Sequence, residues 1–375
     1  MRLFGTKAAR AGARPVLARA WGSGAVGLGE WPASYEAQLR AGVISNAVAQ
    51  RAMRLVSEAV GTCSLNAGGV DVAVRGEVMT LVKGRSAGQA LLETLGCHLL
   101  LHGNAFVQIV TRADGTPGEL YALRPERISV EADGWGWPAA YLYRVGDKVT
   151  RLLPEDAEGR TSVIHLKSLH PLDDHYGLGC AGAAAGAVAI HNAASVWNKA
   201  LLDNAARPSG AMIYDPGDGS VMSPDQFERV KREMEVAFSG AGNAGRPMLL
   251  EGGLNWKAMS LTPAEMDFVG LKAAAAREIA LAFGVPPMLM GLPGDNSYAN
   301  YREANRALWR QTILPLVEKI CCSLAQGLSE WWPGLSLCAD LDAVPELAEE
   351  RAALWDRVTA ADFLSADEKR ALLGL

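Results

Sequence analysis

Residues 180–206 contain no proline, few charges and many alanines. As a helix they would span about 40 Å, with Ala183, Ala187 and Ala194 on one small-residue face. Arg207-Pro208-Ser209-Gly210 stops the pattern. A second long helical pattern starts at Thr262. Pro263 stands at its first position, Glu265 and Asp267 fall in its first turn where the helix dipole favours acids, and Phe283-Gly284 ends it. An outgoing and a returning rod therefore bracket everything between 207 and 261. That constraint leaves little choice of architecture: the intervening residues form a separate unit carried between two helices.

The insert reads as β-α-β-β. Ala211–Tyr214, Pro247–Leu250 and Asn255–Leu261 are strands, and Ser223 caps a helix that Pro224 begins. Behind the second rod lies Ile279–Ile320, where Pro286-Pro287 breaks one helix, a loop rich in Gly, Pro, Asn, Asp and Ser follows, and a long helix resumes at Tyr301. That helix continues to Glu330 and is expected to kink at Pro315.

Before the first rod, period-three and period-two patterns are mixed. Asn46–Val60 has helical spacing, and Ser86–His102 reads as a helix with Ser86 as N-cap and Gly103 as C-cap. Val70–Val74 alternates and suggests a strand. Short strands follow at Phe106–Val110, Leu120–Leu123, Ile128–Glu131, Ala140–Val145, Val149–Leu153 and Val163–Leu166. This is an α+β domain of helices on a mostly antiparallel sheet. The tail from Asp340 onward is helical and acidic, and no internal repeat is visible.

The net charge of −5 over 375 residues argues against a protein that coats nucleic acid, which would be basic. It is compatible with one that surrounds DNA without gripping it. The six cysteines form no C-x-x-C pair and read as small reduced hydrophobes. No run of eighteen apolar residues is present to span a bilayer. Residues 1–30 form a basic arm, with Arg2, Lys7, Arg10, Arg14 and Arg19 and no acid before Glu30. A transit peptide has a similar composition. The alternatives are a solvated arm and one that docks on an acidic partner.

Catalytic and cofactor motifs are weak. Gly177-Leu-Gly179-Cys-Ala-Gly182 matches G-x-G-x-x-G, but a loop precedes it and a long helix follows, so the dinucleotide context is missing. There is no Walker loop, no G-x-S-x-G elbow and no catalytic cysteine signature. His165, His170 and His175 lie five apart, off helical metal-ligand spacing. No cofactor, metal or catalytic residue is assigned. The ten tryptophans, including Trp197, Trp256, Trp309, Trp331, Trp332 and Trp355, suit large subunit contacts.

The order of elements, and several blocks, resemble the portal proteins of tailed phages, most closely the Hong Kong ninety-seven type that phage-derived gene transfer agents also use. The blocks are Gly103-Asn-Ala-Phe, Asp114-Gly115, Leu123-Arg-Pro-Glu-Arg-Ile-Ser-Val, Ile279 to Pro287, Gly291, Ser297-Tyr298-Ala-Asn300, Thr312-Ile-Leu-Pro315 and Phe363 to Gly374. Gly177-Leu-Gly-Cys-Ala departs from the family's Gly-x-Ser-Pro-Leu.

The resemblance implies a homo-oligomeric ring of twelve subunits at one capsid vertex of a virion or phage-like particle, assembled in the bacterial cytoplasm. It implies a wing at 31–176 with the kinked helix and return strand of 301–340, and stem helices at 177–206 and 262–287. It further implies a clip at 207–261, a tunnel loop at 288–300 and a crown at 341–375. The expected partners are double-stranded DNA in the channel, the terminase large subunit, a head–tail adaptor and the major capsid protein, with no membrane. Asp295, Asn296, Ser297, Tyr298 and Asn300 would meet passing DNA; Lys199, Lys272 and Arg277 would add phosphate contacts if they face inward. Twelve helices about 9–10 Å apart form a circle about 36 Å across. Removing one helix diameter leaves an opening of about 26 Å, slightly wider than a duplex. The competing readings are an α+β enzyme with a helical lid using His165, His170 and Asp174, and another ring component of a head–tail connector.

Overall fold

The computed structural model describes residues 35–203, 210–217, 221–238, 253–258, 267–292 and 298–374. These fall into two compact units, one of residues up to 185 with those from 278 onward, the other within 186–277.

The first unit opens with α1 (Tyr35–Leu39), which widens into a π turn over Arg40–Ile44. Asn46 then starts α2 (Ala47–Thr62), its side chain accepting the backbone N–H groups of Val48 and Ala49 at 3.0 Å each. Ala49, Ala52, Val56 and Val60 are buried on one face of α2, as three- and four-residue spacing dictates. β1 (Leu65–Gly68) follows, then α3 (Val72–Val82). The alternation at Val70–Val74 is thus overridden. Val78 and Val82, one turn apart, are the buried residues of α3, while Val72 is exposed. Ser86 does not cap a helix either. It belongs to β2 (Arg85–Ser86), which turns back through Ala87 and Gly88, both at positive φ, into β3 (Gln89–Ala90). The Ser86 hydroxyl accepts the Ala122 N–H at 2.8 Å. The helix starts later, as α4 (Leu91–His102), packs on α2, and ends as expected at Gly103 with φ 78.

Two antiparallel three-stranded sheets follow. β4 (Asn104–Thr111) lies between β5 (Pro117–Leu123) and β9 (Val163–Lys167). β7 (Pro138–Val145) lies between β6 (Ile128–Ala132) and β8 (Lys148–Leu152). Asn104 through Val107 are all buried, which fits a central strand covered by α4. Phe106, Leu123, Ile128, Tyr141 and Val163 form the cluster that joins the two sheets.

The outgoing rod is α5 (Cys180–Asp203). Ala184, Ala187, Val188 and Ala194 are buried along it, whereas Ala183 is exposed, so the small-residue face is centred one position later than the sequence suggests. Within the second unit, β10 (Gly210–Tyr214) pairs antiparallel with β11 (Leu254–Ala258), and α6 (Pro224–Phe238) lies between them in sequence. Ser223 and Gln226 form a reciprocal cap, the hydroxyl accepting the Gln226 N–H and the Gln226 side chain accepting the Ser223 N–H. The expected strand at Pro247–Leu250, and the expected cap at Thr262 with Pro263 and Glu265, lie outside the described residues. α7 (Phe268–Ala282) begins after Asp267, whose carboxylate accepts the Gly270 N–H at 3.1 Å. Asp267 is therefore a cap and not a first-turn residue.

The chain returns through α8 (Tyr298–Leu308), a π turn at Trp309–Ile313, and α9 (Leu314–Leu328). Pro315 sits in the first turn of α9, where a missing N–H costs least, and the widened turn before it accommodates its ring. β12 (Ser336–Ala339) pairs with β1, Leu65 opposite Ala339. The tail forms α10 (Ala348–Thr359) and α11 (Ala366–Leu373), the latter opened by a Ser365–Glu368 capping box. The architecture is α+β, as the sequence suggests.

Candidate functional site

The root of the loop after α7 is well defined. Gly284, at φ 66, donates to the Leu281 carbonyl at 3.0 Å, and Val285 donates to Ala280 at 2.9 Å. This pair of bonds closes a helix through a left-handed residue, and the two prolines that follow prevent continuation. A 3-10 turn at Pro287–Met290 then buries Leu289. Thr312, in the π turn, donates its hydroxyl to the Gly284 carbonyl at 2.7 Å. This clasp ties the end of α7, just before the loop, to the π turn that follows α8. Asp295, Asn296 and Ser297 lie outside the described residues. Tyr298 opens α8 and Asn300 is exposed in its first turn, so the loop ends before Tyr298 and not at Asn300.

In the second unit α5 and α7 run antiparallel. Trp197 stacks on Phe268 with centroids 6.2 Å apart and planes 28° apart. Four residues further along α7, Lys272 faces His191, whose pKa is lowered by desolvation and by that positive charge. Lys199 is exposed and paired with Asp203 at 2.6 Å. Arg277 is exposed and Lys272 half-buried. Along these two helices the described apolar residues Val196 and Val269 are strongly exposed. The pair presents alanines and aliphatics with few charges.

Where β9 leads into α5, one side chain organises the backbone. Asn104, fully buried, accepts the Gly177 N–H at 2.8 Å and pairs with His165 Nε2 at 3.0 Å through its oxygen. Its nitrogen donates to the carbonyls of Gly177 and His102, both at 3.2 Å. A Cβ at Gly177 would lie 2.0 Å from the Gly103 carbonyl oxygen, and one at Gly179 2.3 Å from that of Leu101. The first two glycines of the G-x-G-x-x-G match thus serve a close crossing of two backbone segments, while a Cβ at Gly182 would meet nothing within 4 Å. His165 stacks on Phe106 at 4.1 Å, and burial, helped by Lys167, lowers its pKa to about 3. His170 accepts the Leu172 N–H, and the Asp174 carbonyl accepts the Lys167 ammonium. His175 meets the Gly136 carbonyl at 2.6 Å. Each of these groups holds a loop, and no three His, Cys, Asp or Glu among the described residues are grouped to hold a metal ion. No described helix is long and apolar enough to cross a membrane.

The helix behind the loop is tied to the tail by charge. Arg306 contacts Glu303 at 2.9 Å, Glu349 at 3.2 Å and Glu350 at 3.3 Å. Arg302 reaches Glu349 at 2.8 Å, and Arg310 reaches Glu350 at 2.9 Å. Sequence reasoning missed this network, the Thr312 clasp and the Asn104 junction. The arginines at 302, 306 and 310, four apart on one helix face, were the available signal for the first.

A family model described as phage portal protein matches residues 47–374. A chain from the neck of an empty GTA particle, computed with C6 symmetry, is 48% identical with TM-score 0.69, over 94% of this chain and 97% of that one. A chain from the neck of a native GTA particle, computed with C12 symmetry, is 48% identical with TM-score 0.68, over 94% and 96%. GTA denotes a gene transfer agent. A probable portal protein of Streptomyces phage phiC31 is 26% identical over 286 residues, 72% of this chain and 60% of that one.

Proposed function

This chain belongs to the phage portal protein family, and from that premise we propose that twelve copies form the ring through which double-stranded DNA enters and leaves a phage-like particle. The observation that carries the reading is the antiparallel pair α5 and α7, exposing small and aliphatic residues with few charges. Identical apolar rods associate head to tail into a closed ring, and a weakly charged lumen lets a polyanion pass without trapping it. The C12 symmetry used for a relative that is 48% identical agrees with that number of copies.

In this reading α5 and α7 are the stem, β10, β11 and α6 belong to the clip, and the first unit supplies the wing. The tail, α10 and α11, is the crown. Asp295, Asn296, Ser297, Tyr298 and Asn300 come from the tunnel loop and its emerging helix, and they touch DNA through short polar groups. Lys272 and Arg277 add weak phosphate contacts; Lys199 adds less, being paired with Asp203. The ring translocates nothing by itself. The motor is a docked terminase, the clip receives it and later the head–tail adaptor, and the rim meets the major capsid protein. Phe227 on α6, which is exposed, supplies an apolar contact for that docking.

Native mass measurement of the purified chain tests the ring. A species near twelve times 39.8 kDa is expected, and a stable monomer or dimer at micromolar concentration would sink it. Deleting residues 294–298 tests the loop assignment. The ring should still assemble while encapsidated DNA falls at least ten-fold, whereas unchanged packaging would remove these residues from the channel.

A further inference from the structure

A second surface of the first unit has no part in that reading. Two adjoining hollows, of about 790 and about 750 Å³, share Tyr35, Leu39, Arg124, Glu126 and Arg127 and make one groove. It runs from α1 and the β7–β8 turn, past the link between β5 and β6, to the outer side of α4 and the β2–β3 turn.

The groove carries a local positive surplus on a chain of net charge −5. Arg40 is paired with Glu36 at 2.7 Å, Arg54 with Glu58 at 2.7 Å, and Arg124 with Glu126 at 3.5 Å. Arg85, Arg127 and Arg144 also line it, are exposed, and have no ion pair among the described residues. Its walls include Tyr35, Tyr121 and Tyr143, all half-buried. His98 lines it as well. Its Nδ1 is shielded from water and has no hydrogen-bond partner. Burial, with His102 and Arg124 nearby, lowers the pKa of His98 to about 4, so the imidazole is neutral at physiological pH.

Tyrosine and arginine are the residues that most often anchor a bound chain, and unpaired arginines recognise carboxylates in bidentate fashion. A DNA duplex presents a convex row of phosphates, which suits an exposed rim more than a recess walled by tyrosines. An extended peptide with carboxylates and apolar side chains fits such a recess. We propose that this groove is a docking site for an acidic peptide segment of a partner protein, with carboxylates on Arg127 and Arg144 and an apolar side chain among the tyrosines.

The test uses the full chain and a fluorescein-labelled twelve-residue peptide alternating glutamate and leucine, followed by anisotropy. Saturable binding is expected. The double variant Arg127→Glu, Arg144→Glu should weaken it at least ten-fold, and Arg127→Gln, Arg144→Gln several-fold, with unfolding midpoints unchanged because both side chains are exposed. Equal binding by wild type and both variants, or no saturable binding, overturns the proposal. Equal binding of a glutamine-for-glutamate peptide overturns it too. A short DNA duplex that displaces the peptide at lower concentration, with the same arginine dependence, would reassign the groove to nucleic acid. Loss of the assembled mass in the variants would make it a contact between copies of this chain instead.

Discussion

Asn104 satisfies two backbone segments and a histidine with a single amide. Removing it leaves the Gly177 N–H and His165 buried without partners, and each orphaned group costs about 1–3 kcal/mol. Asn104→Ala should therefore lower the unfolding free energy by about 3 kcal/mol in urea titration, with the slope unchanged. Gly177→Ala should cost more, because the added methyl meets backbone that cannot move aside. His98 and His165 make acid the sensitive direction. Their folded pKa values, about 4 and about 3, lie below the unfolded value. The unfolded chain therefore takes up protons first. Their contribution is complete above pH 6.5 and is lost as the pH falls from there through 4 toward 3. The loss is on the order of 3 kcal/mol or more for each site. Urea midpoints from pH 7.5 to 4.5 should fall, and His98→Gln should flatten part of that slope. A midpoint that rises on acidification would contradict these burials.

At the scale of elements, the clasp between Thr312 and Gly284 joins a π turn to the end of α7. Thr312→Val removes one hydrogen bond and should cost about 1 kcal/mol. If the loop works by being held at its root, DNA content per particle should drop more than this stability change alone predicts, which quantitative PCR on nuclease-treated particles would measure. Arg306 is only 16% exposed at its side chain and contacts three acids. Arg306→Ala should loosen α10 from α8, read as faster amide exchange across 348–359. Much of this scale was legible. Asn46, Gly103, Ser223 and the Pro286-Pro287 stop act as the local chemistry of each residue type requires. The misses have a common cause. Val70–Val74 alternates over too few residues to outweigh the helical pair Val78 and Val82. Ser86 is claimed by a strand neighbour thirty-six positions away in sequence. The π turn was inferred only as a kink, since Pro315 announces a disturbance without its form. Of the candidate site, the helix stop at Phe283-Gly284 was readable, but the restart was placed at Tyr301 where the helix begins at Tyr298, and the partner of Gly284 was not seen, because Thr312 is an ordinary helix residue by pattern.

At the scale of the whole molecule, the division of the chain falls inside the two rods, at 185/186 and 277/278, and not at the ends of the 207–261 insert. The second unit, 186–277, takes in most of both rods together with what lies between them, and the first is completed only by residues on its far side. Family blocks spread along the chain carried the function, and the match over 47–374 bears that out. If the ring is as proposed, replacing Val196 and Val269 by aspartate should leave the monomer's unfolding free energy within about 1 kcal/mol of wild type, as expected for exposed sites. Native mass spectrometry should then find subunits in place of rings. The pairing of β1 with β12 carries a different consequence. Among the described residues, 65–68 find their ladder neighbour at 336–339, so a nascent chain cannot finish its first unit until residue 339 has left the ribosome. About 270 residues must be made between the two halves of one ladder, and a product truncated before residue 336 is left with an unmatched strand edge at 65–68.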